Sequence, residues 1–300
     1  MIKKFLGLIL TFSILLGACT KETRTLKEIE ELSINDFLTK NNLTSQFKKD
    51  STGFYYSTLR TGEGDTLQNY NQVFFLMDLK TLEGANVTTT GALITSTDTY
   101  SYMPNLNSAK GGFIGYITPI GLRNVLLKAK YGEKVRALLP SYIMFGKDGY
   151  STLIKGNTIL DATIDIINAK TQTAAEDTLI NRYIKTLSHV YTKDEETGLY
   201  YKIVNEGTGS QIAIGSSVKV VYAGRFFNGT VFDSSSRETP FETTIYNGSL
   251  ITGWIEGIQK IKKGGHIKLI LPSYLAYGSN GGSTIPPNTP LFFDIEVLAE

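Results

Sequence analysis

Hydrophobic positions in the second half of the chain first follow a helical period. Leu179, Ile180, Tyr183, Ile184 and Leu187 fall at i, i+1, i+4, i+5 and i+8, which places them on one face of an α-helix. A similar pattern around residues 34–38 predicts a helix in the first half as well.

Short apolar runs bounded by glycine and polar residues follow the second helix. Residues 218–222 and 267–271 are such runs, and residues 292–298 alternate between apolar and polar positions. These patterns predict strands, the last of them half-buried, with one short helix around residues 253–261. We therefore predict an α+β fold built on an antiparallel sheet.

The chain also repeats itself, since four segments of the first half recur in the same order in the second half. A repeated order of this kind indicates homologous structural units. We predict two units, residues 34–170 and 171–300, each beginning with a helix, and an insertion in the first unit. The matched segments are 34–38 with 180–184, 52–56 with 197–201, 139–146 with 271–278, and 157–158 with 288–289.

The first nineteen residues have the layout of a secretory signal. Lys3 and Lys4 precede an uncharged stretch of 12 residues, 5–16, which is too short to span a bilayer. The segment that follows, Leu-Gly-Ala-Cys, resembles the lipobox of bacterial lipoproteins and implies removal of residues 1–18 and lipidation of Cys19. An ordinary signal peptide or an uncleaved anchor is the alternative. Residues 19–33 are predicted to form a polar tether with a helical start.

Composition narrows the possible functions. The 300 residues carry 30 Lys and Arg against 28 Asp and Glu, and removal of residues 1–18 leaves a neutral chain. A neutral chain argues against nucleic-acid binding, which usually requires a basic surplus. One Cys cannot form an intrachain disulfide, and one Cys with two His cannot form a four-ligand zinc site. We expect no metal and no cofactor.

No conventional nucleophile or acid–base group stands out. His189 and His266 are expected to be solvated or structural, and Ser234–Ser236 have no adjacent base. The Gly-rich segments 61–64 and 207–209 are turns, because the third glycine and following helix of a phosphate loop are absent.

The second unit contains a series of aromatic residues, most of them within short recognisable motifs, and these are its main indication of function. The motifs are Val-Tyr-Ala-Gly, Gly-Thr-Val-Phe-Asp-Ser-Ser, Ile-Thr-Gly-Trp-Ile-Glu-Gly, Leu-Ala-Tyr-Gly and Ile-Pro-Pro, in that order. In this order, residues 198–300 closely resemble an FK506-binding-protein (FKBP) type peptidyl-prolyl isomerase domain. The resemblance implies two FKBP-like domains, each a curved antiparallel sheet wrapped around a short helix, with an apolar pocket between sheet and helix in the second.

The resemblance also implies a role for each residue of that pocket. Trp254 would form the floor under the proline ring, the Ile251 N–H and the Tyr277 hydroxyl would bind substrate carbonyls, and Asp233 would be a carboxylate at a buried edge. The loop 278–284 is Gly-rich and lacks an aromatic or His residue, which leaves the preference for residues flanking proline open. The implied catalytic set is Tyr222, Phe232, Asp233, Trp254, Tyr277 and Phe293, and the implied substrate-binding set is Phe241, Leu250, Ile251 and Ile285.

Such a site suits the isomerisation of X–Pro bonds. The reaction crosses a barrier of about 18–20 kcal/mol and needs no covalent intermediate. The rotating amide loses resonance and becomes less polar, so a dry aromatic pocket favours its transition state over the planar ground state.

The first unit lacks the aromatic set. Alignment through the shared Leu-Pro-Ser-Tyr segments places Trp254 opposite Leu122 and Tyr277 opposite Phe145. We predict that this unit keeps the fold without isomerase activity, as a spacer, a chaperone-like surface or a partner dock. The remaining pairs are Tyr222 with Met77, Phe232-Asp233 with Val87-Thr88, and Phe293 with Ala162.

Two functional hypotheses follow. The first is a membrane-anchored isomerase acting on proline-containing polypeptides that fold in the cell envelope. The second is a non-catalytic FKBP-like scaffold lipoprotein of an envelope assembly, since the arrangement resembles tandem lipoproteins of Bacteroidota, some linked to gliding motility. Thr20 rather than Asp after Cys19 favours the outer membrane, and the sequence indicates no oligomeric state.

Overall fold

The computed structural model describes residues 24–89, 94–95, 114, 117, 119–150 and 154–299. Within these residues the chain forms an α+β structure with two antiparallel sheets of seven strands each. The predicted signal sequence and Cys19 lie outside the described residues, as does most of the predicted insertion in the first unit. No helix in the described ranges has the length and hydropathy needed to cross a bilayer.

The first sheet is preceded by helix α1 and carries helix α2 between its fifth and sixth strands. Its strand order is β1-β2-β6-β7-β3-β4, and β5 also pairs with β3. The bounds are α1 Leu26–Lys40, β1 Lys48–Lys49, β2 Tyr55–Arg60, β3 Phe74–Thr81, β4 Asn86–Thr89, β5 Ile94–Thr95, α2 Ile120–Lys128, β6 Lys134–Leu139 and β7 Leu160–Ile166.

The second sheet has the same topology. Its strand order is β11-β10-β14-β13-β9-β8, with β12 paired to β10, which is the first order read from the opposite edge. The repeat seen in the sequence is therefore a repeat of structure. The bounds are α3 Gln172–Ile184, β8 Thr192–Lys193, β9 Tyr200–Asn205, β10 Ser217–Arg225, β11 Val231–Ser234, β12 Phe241–Thr244, α4 Thr252–Ile258, β13 His266–Leu271 and β14 Leu291–Val297.

Helix α4 lies directly on strand β13 of the second sheet, because two glycines face that strand. A Cβ placed on Gly253 would lie 2.5 Å from Leu271 Cδ2, and one on Gly257 would lie 2.5 Å from Leu269 Cδ1. The close approach seals one side of the core. The helix ends at Ile258, earlier than the predicted 261, because residues 259–265 turn directly into strand β13.

A buried glutamate on α1 and another on α3 join each helix to the Leu-Pro-Ser-Tyr segment of its own unit. Glu30 accepts hydrogen bonds from the Ser141 N–H (2.8 Å) and hydroxyl (2.5 Å). Glu176 accepts from the Ser273 N–H and hydroxyl, both at 2.6 Å. Helix α1 begins at Leu26, within the segment predicted as a tether with a helical start, and its buried Glu30 joins that segment to the first unit.

Candidate functional site

Trp254 lies at the centre of an aromatic cluster between α4 and the inner face of the second sheet. Only 4% of its surface is exposed. Its ring meets Tyr222 at 4.9 Å and 86°, Phe293 at 5.4 Å and 89°, and Phe241 at 6.4 Å and 78° between ring centroids. These edge-to-face contacts are favourable for aromatic pairs and hold the rings in fixed orientations.

Two further phenylalanines extend the cluster along β10 and β11. Phe232 meets Phe293 edge-to-face at 5.6 Å, and Phe226 packs on Phe232 at 5.1 Å. Sequence reasoning missed Phe226. The available signal was its position directly after the apolar strand β10, beside a second aromatic residue, Phe227.

Gly224 makes room for two of these rings. A Cβ at this position would lie 2.6 Å from Phe232 Cζ and 2.8 Å from Phe293 Cε1, shorter than any ordinary carbon contact. The strand pairing explains the crowding, since Gly224 is opposite Asp233 on one side and Phe293 on the other. The glycine appeared in the Val-Tyr-Ala-Gly motif, but the sequence alone assigned it no role.

Tyr222 and Asp233 form the polar edge of the cluster. The Tyr222 hydroxyl donates a hydrogen bond of 2.6 Å to Asp233 Oδ2, while Oδ1 accepts from the Ser234 N–H at 2.9 Å. Burial, and then the hydrogen bond to Asp233, raise the pKa of Tyr222. Asp233 itself is exposed on the short strand β11, so the expectation of a buried-edge carboxylate is wrong.

Tyr277 stands across the rim, just beyond the 3₁₀ turn Ser273–Leu275. Its side chain is 39% exposed, and its pKa is raised by burial and then by the negative charge of Asp233. A Cβ at Gly282 would touch the Tyr277 ring at 3.3 Å and Ile285 Cβ at 3.8 Å. Gly282 of the Gly-rich loop thus lies close to both Tyr277 and Ile285, and Ile285 is itself 5% exposed.

Leu250 and Ile251 lie at the start of helix α4 and pack partly buried against the same core. Ile251 is the N-cap residue, and its carbonyl accepts from the Trp254 N–H at 3.0 Å. The N–H groups at the start of a helix have no partner within it, so the Ile251 N–H is free of the helix ladder.

The structure thus brings all ten predicted site residues to one aromatic cluster and its rim. Phe241 stands at the rim and is 39% exposed. The buried Trp254 Nε1 has no hydrogen-bond partner among the described residues. His266 lies elsewhere, on the other face of β13, where its Nε2 is 2.5 Å from Asp294 Oδ1.

Strand register in the first unit independently confirms the alignment of the two copies. Gly224 pairs with Asp233 and Phe293, and Leu79 pairs with Thr88 and Ala162 in the equivalent strands. The first unit therefore has leucine where the second has glycine. Leu79 is 1% exposed within the core, so its side chain fills the space that two aromatic rings occupy in the second unit.

Other first-unit equivalents are aliphatic or lack a hydroxyl. Met77, opposite Tyr222, and Leu122, opposite Trp254, are 3% and 1% exposed in the same core. Phe145 stands in place of Tyr277 and has no hydroxyl to donate.

Comparisons with known proteins match the second unit. The family profile described as "FKBP-type peptidyl-prolyl cis-trans isomerase" matches residues 209–298, which include all ten predicted site residues. The chain is 46% identical over 108 residues to the "Probable FKBP-type peptidyl-prolyl cis-trans isomerase" of Haemophilus influenzae, covering 35% of this chain and 44% of that protein.

Two further relatives differ in how much of their own length the match covers. "FKBP-type peptidyl-prolyl cis-trans isomerase FkpA" of Escherichia coli is 43% identical over 107 residues, covering 35% of this chain and 39% of its own length. "FK506-binding protein 1" of Dictyostelium discoideum is 43% identical over 103 residues, covering 34% of this chain and 96% of its own length. The chain thus spans less than half the length of both bacterial relatives but nearly all of the Dictyostelium protein.

Proposed function

This chain belongs to the family of FKBP-type peptidyl-prolyl cis-trans isomerases, and we propose that residues 171–300 isomerise X–Pro bonds in polypeptide clients. The observation that carries the proposal is the aromatic cluster around Trp254, with Tyr277 and the Ile251 N–H at its rim. The cluster combines mostly apolar and aromatic side chains with few polar groups, which is the usual composition of a small-ligand site.

The proposed catalysis is non-covalent. The proline ring sits on Trp254 between Tyr222, Phe232 and Phe293. There the twisted, less polar amide is bound better than the planar amide, because the site offers the planar amide little solvation. The chemistry needs no nucleophile, which agrees with a cluster built from aromatic and aliphatic side chains.

Polar groups at the rim orient the peptide. The Tyr277 hydroxyl and the Ile251 N–H hold substrate carbonyls on either side of the rotating bond. The hydrogen bond from Tyr222 to Asp233 holds the Tyr222 ring in its edge-to-face orientation against Trp254. Asp233, exposed at the rim, also faces the flanking residues of the client.

We further propose that residues 34–170 have no isomerase activity of their own, since Leu79, Met77 and Leu122 fill the space of the pocket. The division of the chain into residues 34–170 and 171–300 remains part of this proposal. The repeated sheet topology supports it, although the contact of Glu30 argues for a first unit that begins near residue 25.

We propose that the protein is a lipoprotein of the cell envelope, anchored to the membrane through a lipid on Cys19. Because Thr20 rather than Asp follows Cys19, we propose that this membrane is the outer membrane. Support comes from the basic start, the uncharged stretch and the Leu-Gly-Ala-Cys segment. Its clients would be proline-containing polypeptides outside the cytoplasm.

The isomerase proposal is tested with residues 19–300 in a proline-limited refolding assay, comparing wild type with Trp254→Leu and Tyr277→Phe. Loss of the indole floor should lower kcat/KM by at least about 10-fold, and loss of one hydroxyl hydrogen bond by up to about 10-fold. Tyr246→Phe, at an exposed tyrosine, is the control and should leave the rate unchanged.

Each outcome decides between the hypotheses. A wild-type rate equal to the uncatalysed rate would reject the enzyme and favour the non-catalytic scaffold. A Trp254→Leu variant that keeps most of the activity would contradict the role proposed for the indole floor.

A further inference from the structure

We propose that Phe227 is a positioning residue of the proline pocket, linking its aromatic wall to helix α3 and to the first sheet. The inference rests on the proposed function and deepens it, because it gives the first unit a part in shaping the active pocket. It begins from two adjacent phenylalanines in the hairpin between β10 and β11.

The two side chains of this hairpin serve different clusters. Phe226 packs on Phe232 at 5.1 Å and belongs to the core that contains Trp254. Phe227 stacks on Tyr183 of helix α3 at 4.1 Å, with the rings 5° from parallel. The hairpin is closed by hydrogen bonds between Phe226 N–H and Thr230 O (3.0 Å) and between Gly229 N–H and Phe226 O (2.9 Å). Because the two residues are adjacent in one short hydrogen-bonded hairpin, we expect a displacement of the Phe227 backbone to move Phe226 as well.

Behind Phe227, α3 presents two adjacent apolar stripes. Ala175 and Leu179 pack with Phe74 of the first sheet, in a cluster that Phe227 also joins. Ile180 and Tyr183 pack with Phe292 of the second sheet, in a second cluster that again includes Phe227. The Phe227 ring is thus the point where the two clusters meet.

Polar contacts hold α3 in place from both sides. Arg182 Nη1 is 3.2 Å from Asp165 Oδ2 on β7 of the first sheet, and Asp165 Oδ1 is 2.5 Å from Arg60 Nη2. On the other side, the buried Glu176 carboxylate binds Ser273 of the second sheet's unit. Helix α3 is therefore held by polar contacts to both units.

The physical consequence follows from close packing. Interiors packed at crystal-like density transmit displacements, whereas a void behind a side chain lets it relax. Truncation of Phe227 would leave a void behind the hairpin, so Phe226 and then Phe232 could move away from the proline position. A catalytic site displaced by about 1 Å can lose about 100-fold in rate, so such movement should be measurable.

The experiment compares residues 19–300 of wild type with Phe227→Ala, Phe227→Leu and Tyr183→Ala. The assay measures kcat and KM for prolyl isomerisation where circular dichroism shows each variant to be folded. We expect Phe227→Ala and Tyr183→Ala to lower kcat/KM by about 5- to 10-fold with a change in Trp254 fluorescence, and Phe227→Leu to restore most of the activity. Tyr246→Ala, an exposed aromatic outside both clusters, should leave both readouts at wild-type values.

A double variant separates transmission from a general loss of stability. If Phe227 and Tyr183 act as one unit, Phe227→Ala/Tyr183→Ala should lose little more activity than the larger single change. Folded Phe227→Ala and Tyr183→Ala variants with wild-type kcat/KM and unchanged Trp254 fluorescence would overturn the inference while leaving the isomerase intact. If Phe227→Ala does not fold, the Tyr183→Ala variant alone tests the inference, because it removes the ring that stacks on Phe227 without changing the hairpin sequence. An inactive wild type would instead reject the proposed function itself.

Discussion

At the scale of single residues, a missing side chain decides where the pocket can exist. Gly224 leaves space for the rings of Phe232 and Phe293, and the first unit has Leu79 at the same point of the strand register. The exchange of one glycine for one leucine goes together with loss of both rings, since Val87 and Ala162 replace them. The first unit thus has smaller aliphatic side chains at the two ring positions, and only the second core contains the aromatic site.

Gly224→Ala should test this requirement directly. The new methyl group would clash with both rings, so we expect a loss of about 1–3 kcal/mol in the free energy of unfolding and a lower kcat/KM. Urea unfolding and the isomerase assay measure the two effects. Gly224→Ala/Phe232→Leu is the matched control: it should regain stability, because space is returned, but not activity, because one wall is gone. Unchanged stability in Gly224→Ala would show that the rings can yield freely.

At the scale of secondary-structure elements, the buried glutamates make the N-terminal helices part of each unit. Glu176 is fully buried in α3, and burial is the main cause that raises its pKa, against hydrogen bonds from Gln172 and Ser273 that lower it. Sequence periodicity predicted both helices. It did not predict their partners, because Glu30 and Ser141 are 111 residues apart and Glu176 and Ser273 are 97 residues apart.

The raised pKa of Glu176 predicts a pH dependence of stability. A carboxyl whose folded-state pKa lies above its unfolded value contributes stability below the unfolded pKa, and that contribution is lost as pH rises through the folded pKa. The unfolding free energy of wild type should therefore fall relative to Glu176→Gln as the pH rises above the unfolded pKa of about 4.3. Urea unfolding at a series of pH values measures the difference. The exposed Glu195→Gln variant should run parallel to wild type, and parallel behaviour of Glu176→Gln would contradict the prediction.

At the scale of the whole molecule, one topology is used twice and one copy carries the site. The two sheets have equivalent strand orders, and the matched family segment lies entirely in the second unit. If helix α3 and Phe227 link the copies as proposed, the first unit is a support for the second rather than a passive spacer.

The proposed lipid anchor is also a property of the whole chain. Expressed with its own N-terminus in a Gram-negative host, the protein should appear in the membrane fraction with a lipid-modified residue 19, and Cys19→Ala should abolish the modification. Mass spectrometry of the N-terminal peptide and sucrose-gradient separation of inner and outer membranes provide the measurements. Because Cys19 is the only cysteine in the sequence, incorporated lipid label reports a single position. An unmodified wild-type peptide would contradict the lipoprotein proposal.

The sequence by itself determined the α+β class, the repeat and the main strands, and its resemblance to FKBP domains indicated the ten residues that meet around one aromatic cluster. These features are readable because periodicity and motifs depend on neighbours along the chain, and because equivalent positions recur in two copies. Only the tertiary structure decided that Asp233 is exposed, that Gly224 must be a glycine, that α1 begins at Leu26, and that Phe226 and Phe227 face different clusters. Each of these depends on which distant side chains occupy the surrounding space, and close packing settles that only when the strands and helices are brought together.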